Sequence, residues 1–316
     1  MHFRGNYMFA DAHCDTVTVI LDKNESLKSN SGHIDMKRLK KAGCAMQYFA
    51  VWLDPKYEPH YAFDRFLDAC DKFYSELSEN QNDLYLIKNA SDIDENSGKT
   101  GALLTIEGGG VIGNSMARLH AAYGLGVRCM TLTWNGRNYI ADGAAEGGNA
   151  GGLSLFGRRV VREMNKLNMI IDVSHLSDKG FYDVASESTA PFAATHSNSR
   201  SVCGVRRNLT DEQIRHIIKI NGYIGLNFCS DFLRDGGSYI GDIVRHAEHI
   251  LSLGGENVLG FGADFDGVDK LPEGIDGVQN MNKVSDEFCK IGCDQELLNK
   301  LFYGNLFRFT KEILKN

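Results

Sequence analysis

Short apolar runs, each bounded by glycine or polar residues, recur along the chain. They are MFADAH (8–13), AMQYFAVW (45–52), ALLTIEG (102–108), VRCMTLT (127–133), MIIDVSH (169–175), FAATHS (192–197), YIGLNF (223–228) and VLGFGADF (258–265). The runs are continuous rather than alternating, which is the pattern of strands buried on both faces, as in a parallel sheet covered by helices. Between them lie segments whose apolar residues return with the helical period: FDRFLDACDKFYSEL, FGRRVVREMNKL, TDEQIRHIIKI and GDIVRHAEHILSLGG. Eight β/α units in about 300 residues is the content of a (β/α)8 barrel of the TIM type, in the α/β class. An open doubly wound sheet competes, but no G-x-G-x-x-G follows the first run and no Walker-type glycine-lysine loop occurs. No linker, repeat or low-complexity stretch divides the chain, so residues 1–316 are expected to form one barrel domain.

Composition narrows the partners. The 316 residues are 43% hydrophobic and 24% charged, as in ordinary soluble globular proteins. A formal charge of −7 without any basic run argues against nucleic acid or an anionic membrane as partner. MHFRGNYMFADAHCD has no stretch long enough for a signal-peptide core, NLFRFTKEILKN ends in polar residues, and no apolar run approaches the roughly 20 residues of a membrane span. A cytoplasmic location and no membrane partner are therefore expected, with small solutes, or a second copy of the chain in a homodimer, left as partners. The eight cysteines contain no C-x2-C pair and read as reduced thiols, several buried in strands. Cys289 and Cys293 stand isolated.

The barrel makes a demand on the sequence, because such enzymes collect their reactive residues at the C-terminal ends of the strands. The first run ends in Asp11, His13 and Asp15, two apart; the third ends in Glu107, the fifth in His175, the sixth in His196, and the eighth in Asp264 and Asp266. Each alone is as ordinary as a cap or a hydrogen-bonded core residue. Together, on five of eight strands and at one end, they are a constellation. Three histidines and two carboxylates (His13, Asp15, Glu107, His175, His196) suit zinc and its neighbours. Five ligands exceed what one tetrahedral ion takes, so two zinc ions are expected, one carboxylate bridging them. Glu107 is the best bridge, since the glycines after it let the backbone turn sharply. His13 and Asp15 then hold one ion, and His175 and His196 the other.

DAHCDT, HIDMKRLKKAG, TIEGG, DVSHLS, THSNSR with VCGVRRNLTDEQI, and GFGADFDGV agree in order and spacing with one family along nearly the whole chain. The sequence resembles the membrane dipeptidase (renal dipeptidase) family of zinc peptidases. The resemblance implies a (β/α)8 barrel, the same five metal ligands, Arg207 on the substrate carboxylate and Asp264 as the carboxylate that handles protons. It implies hydrolysis of dipeptides, L,D-dipeptides included, by a metal-bridging hydroxide. The sequence departs from the mammalian branch, which has a substrate-contacting histidine after the fourth strand; here TLTWNGRN places Trp134 there, so that either Asn135 beside it donates toward the substrate carbonyl or the metal alone polarises it. Trp134 reads as an aromatic wall of the pocket.

The remaining candidates are read as supporting structure. His246 and His249 lack the glutamate spacing of a metalloprotease helix and read as surface or helix-packing residues. Residues 143–152 form a glycine-rich loop over the mouth, His33 is structural, Asp266 stabilises a loop, and Arg206 serves the surface or packing. Two rival functions stay open: another metal-dependent amidohydrolase acting on an N-acyl amino acid, a cyclic amide or a lactam, and a barrel that binds metal or peptide without turnover.

Overall fold

The computed structural model describes residues 8–57, 60–95 and 97–315. Residues 1–7, part of the stretch read for a leader, lie outside the described residues. Nine strands form one parallel sheet: β1 (Phe9–Asp11), β2 (Cys44–Trp52), β3 (Leu84–Leu86), β4 (Thr100–Glu107), β5 (Val127–Thr131), β6 (Ile170–Asp172), β7 (Ala193–Ala194), β8 (Tyr223–Leu226) and β9 (Leu259–Phe261). β1 pairs with β2 and β9, and a long β2–β4 pairing from Met46↔Gly101 to Trp52↔Glu107 closes the ring. Eight strands thus make the expected barrel. The extra strand, β3, runs beside only the first residues of β4, with Leu84 opposite Thr100. Its three residues lie in LYLI (84–87), an apolar run of four that is shorter than the runs read as strands and closely follows a helix.

The helical segments form where their period placed them, as Ala62–Glu79, Leu155–Lys166, Asp211–Lys219 and Ile240–Ser252. Thr210 caps Asp211–Lys219 through a reciprocal box with Gln213, satisfying two orphan N–H groups. Ser154 and Ser177 cap the helices that follow them more simply, each through one side-chain acceptor.

The barrel interior is layered. Met46, Tyr48, Leu103, Cys129, Ile170, Ala193 and Tyr223 pack with Leu306, Phe307 and Phe309 of the helix Asn305–Ile313 in one buried apolar cluster. Tyr48 OH meets Thr310 Oγ1 at 2.7 Å, and Tyr223 stacks on Phe309. Two residues further along the same faces stand Thr131 and Asp172, and four beyond Leu103 stands Glu107. The C-terminal helix seals the N-terminal end of the strands, leaving chemistry to the other end. Among the described residues no helix is long and apolar enough to cross a membrane.

Candidate metal centre

The strands end earlier than their apolar runs suggested, and most of the singled-out residues lie just beyond them. His13 follows β1 by two residues, His196 follows β7 by two, and His175 and Asp264 follow β6 and β9 by three. Regular pairing gives way there to isolated contacts, such as the parallel bridge between Cys14 and Phe265 beyond β1 and β9. His175, Asp264 and Asp266 have φ of 63, 62 and 68°, a left-handed conformation uncommon for residues other than glycine. Such a backbone swings the side chain back over the barrel mouth, and non-glycine residues keep it where the surroundings enforce it.

Glu107, at the end of β4, lies at the centre. Its Oε2 is 3.3 Å from His13 Nε2, while Oε1 is 2.9 Å from His175 Nε2 and 3.4 Å from His196 Nε2. Asp15 Oδ1 and Asp264 Oδ1 each also approach His13 Nε2 to 3.8 Å. The His13 and His196 rings lie 3.8 Å apart at their centroids. All six residues are buried. The five residues read as ligands and Asp264 are therefore brought together, whereas Asp11 turns inward and accepts from the N–H of Ala263 at 2.9 Å.

The donor set fits a metal. Buried His13 Nε2, Asp15 Oδ1 and His196 Nε2 have no hydrogen-bond partner among the described residues, and unpaired buried polar atoms at one point are costly unless something binds them. His13, Glu107 and His196 present ligand atoms within 4.8 Å of one another, as do His13, Asp15 and Asp264. Imidazole with carboxylate oxygen is a combination zinc accepts. Burial opposes charge on His13, but Glu107, Asp15 and Asp264 outweigh it and push its pKa up to about 10. Burial, with Arg207 nearby, lowers His175 to about 4. Burial raises Asp15 and Asp264, with the Glu107 charge adding to it.

A cavity of about 560 Å³ opens beside the cluster, lined by Asp15, Glu107, Asp264, Trp52, Trp134 and Phe232 among others. Trp134 meets Trp52 edge to face at 5.3 Å, stands 6.3 Å from His175 and lines the cavity. The Asn135 side-chain oxygen faces His175 Nδ1 at 2.9 Å and so holds that ring, while the residue also lines the cavity with its amide NH2 still available as a donor. Arg207 sits deeper than expected for a side chain reaching into the mouth. It is buried, donating to Ser197 Oγ at 2.7 Å and to the His196 carbonyl at 2.9 Å, with Nε unpartnered and the Phe232 ring 5.7 Å away.

Other readings meet their surroundings. Asp266 accepts from Thr16 Oγ1 and from His33 N–H, and its own N–H donates to His33 Nδ1, tying the loop after the first helix to the mouth. Residues Ala144–Asn149 form a short 3-10 turn beside the mouth, and Gly143 bridges to Leu176. His249 pairs with Asp211, as a helix-packing residue does. His246 is not at the surface: it is fully buried, accepting from Ser199 N–H and donating to the Leu233 carbonyl. All eight cysteines are free thiols. Asn227, Asp172 and Thr195 were missed. Asn227 donates to Asp264 Oδ2 at 2.9 Å; Asp172 and Thr195 sit beneath His196. The polar residue inside an apolar run, as in MIIDVSH, was the signal for Asp172.

The chain matches the family model for membrane dipeptidase (peptidase family M19) over residues 4–316. It is 31% identical over 305 residues to an uncharacterized dipeptidase of Schizosaccharomyces pombe, covering 89% of this chain and 72% of that protein. The solved structure of the metallopeptidase dipeptidase AC superposes with a TM-score of 0.91 at 28% identity, covering 99% of this chain and 100% of the other. A Rhodobacter sphaeroides metallopeptidase, liganded with a phosphinate mimic of the dipeptide L-Ala-D-Ala, gives a TM-score of 0.89 at 28% identity over 96% of this chain and 99% of its own. With the family model spanning nearly the whole sequence and the same barrel beneath it, the chain belongs to the membrane dipeptidase family, peptidase family M19.

Proposed function

We propose that this metal-dependent dipeptidase uses two zinc ions and accepts both L,L- and L,D-dipeptides. One observation carries the reading: the two oxygens of Glu107 divide the histidines between them, Oε2 approaching His13 and Oε1 approaching His175 and His196. His13, Asp15 and one oxygen of Glu107 would hold the first ion, and His175, His196 and the other oxygen the second. When bound, such a pair supplies a water ionisable near neutral pH and polarises the scissile carbonyl.

The chain's own residues supply the rest. Asp264, steadied by Asn227, would take the proton of the attacking water and return it to the leaving amine, a general base and acid in turn. Arg207 would read the free carboxylate of the substrate, which fixes the distance from chain end to scissile bond and limits the substrate to two residues. Trp134 and Trp52 would wall the side-chain pocket. The mimic bound by the Rhodobacter sphaeroides relative supports extending the substrates to a D-residue on the carboxylate side.

The test is a panel of L,L- and L,D-dipeptides, N-acyl amino acids and lactams offered to zinc-reconstituted protein. Hydrolysis confined to dipeptides is expected. Cleavage of the N-acyl amino acids or lactams with dipeptides left intact would replace this reading, as would tight zinc binding with no turnover of any panel member.

A further inference from the structure

Beneath His196 runs a chain of hydrogen bonds whose direction is determined by counting protons. Asp172, at the end of β6 and fully buried, accepts four hydrogen bonds. Its Oδ1 takes the N–H groups of Ser174 and Thr195, each at 2.9 Å. Its Oδ2 takes the hydroxyls of Thr131 and Thr195, each at 2.6 Å. The Thr195 hydroxyl has one proton, and a carboxylate can only accept, so that proton is committed to Asp172. Thr195 Oγ1 also lies 2.8 Å from His196 Nδ1, and at that contact it has only lone pairs left to offer. His196 must therefore donate from Nδ1. In the neutral ring Nε2 is then bare, and Nε2, which faces Glu107 at 3.4 Å, has no hydrogen-bond partner among the described residues.

We propose that Asp172 and Thr195 are positioning residues that hold His196 in its Nδ1–H tautomer, presenting a lone pair at Nε2 to the metal centre. The proposal rests on the metal-centre reading above, but not on the substrate. The barrel is built to keep this relay in place: Gly225 and Gly262 pack against Thr195, where a Cβ on either would run into the Thr195 carbonyl. The His196 N–H in turn donates to Ser174 Oγ at 3.1 Å, fixing the backbone from which the ring hangs. Groups that orient a ligating histidine typically contribute 10- to 100-fold in metal affinity.

The decisive variant is Asp172→Asn, which preserves shape and inverts polarity. Position Oδ1 must still accept two N–H groups, so the new amide nitrogen would replace Oδ2 and donate to Thr195 Oγ1. The Thr195 proton would then turn to His196 Nδ1, and the ring proton would move to Nε2, where it blocks the ligand position. Thr195→Val removes the relay outright, and Thr195→Ser keeps it. Two readouts on the full chain separate these outcomes: zinc affinity by chelator competition, and ring tautomer from 15N-histidine NMR after chelation. We expect His196 to show the Nδ1–H pattern in the wild type and in Thr195→Ser, with zinc affinity lowered about 10- to 100-fold in Asp172→Asn and Thr195→Val. An Nε2–H pattern in the wild type would overturn the proposal without any variant having to fold. Unchanged zinc affinity in Asp172→Asn would overturn it too. Neither readout involves peptide hydrolysis, so a failure here is distinct from a failure of the dipeptidase reading.

Discussion

Glu107 Oε1 stands 2.9 Å from His175 Nε2, the shortest contact Glu107 makes with any of its three histidines. The other oxygen is turned toward His13, so one carboxylate serves both halves of the cluster. Truncation should accordingly disturb both halves together. In Glu107→Ala, zinc-reconstituted protein should hold fewer than the about two equivalents expected of a two-metal site, and dipeptide turnover should vanish. Elemental analysis beside an activity assay checks this; wild-type metal content in the variant would remove Glu107 from its bridging role.

Trp134 is argued to be a wall, touching Trp52 edge to face and standing beside His175. A phenylalanine keeps an aromatic surface in that place and loses only area and the indole N–H. Trp134→Phe should leave kcat/KM within about tenfold of wild type, since a lost shape contact in a pocket costs on the order of 1 kcal/mol. A drop of several orders of magnitude would mean that the indole takes part in the chemistry.

His246 predicts an acid sensitivity of the fold. Burial, opposed by its bond to the Leu233 carbonyl, lowers its pKa to about 4, below the roughly 6.5 of a free imidazole. Between those values the unfolded chain takes up a proton that the folded chain refuses. This contribution to stability is therefore intact above about pH 6.5 and declines as the pH falls toward 4, by up to about 1.4 kcal/mol per pH unit. His246→Leu should cost about 1 to 3 kcal/mol at pH 7, because Ser199 N–H and the Leu233 carbonyl lose their partner. The same variant should lose stability more gently on acidification. Urea unfolding at pH 7 and pH 5 measures both, and parallel acid slopes in variant and wild type would contradict the assignment.

The barrel was legible because its strands are buried on both faces and leave continuous apolar runs, and the five suspected ligands because they end those runs. What could not be read is what the third dimension decides. Strand β3 pairs with β4 alone, and its apolar run, LYLI, is only four residues long. His246 sits in a helix like any other polar residue, and only packing shows that Ser199 is its partner. Asn135 and Arg207 were assigned by type, as donors; their partners, His175 on one side and Ser197 with His196 on the other, come from folds of the chain separated by 10 to 40 residues. Asp172 lay in plain view within MIIDVSH, but its meaning depends on Thr195, one residue beyond the next strand, β7.

Arg207 offers the sharpest test of substrate class. As carboxylate clamp, it would add one charge-assisted hydrogen bond to the substrate, worth roughly 1.5 to 3 kcal/mol. As strut, it would serve only Ser197 and the His196 carbonyl, the two groups it now holds. The two roles differ in what they ask of the substrate. A clamp needs a carboxylate; a strut supports the metal centre whatever is bound there. Its unpartnered Nε and the nearby Asp264 and Glu107 charges favour a guanidinium with bonding capacity to spare beside the reacting groups. Arg207→Ala should therefore cut kcat/KM for a free dipeptide by about 10- to 150-fold and leave the matching dipeptide amide nearly unchanged. The His196 carbonyl would keep the Asn227 amide as a donor at 3.3 Å, so loss of the strut alone should not collapse the site. Equal losses on acid and amide would assign Arg207 to the support of His196 and leave the substrate's carboxylate to another group.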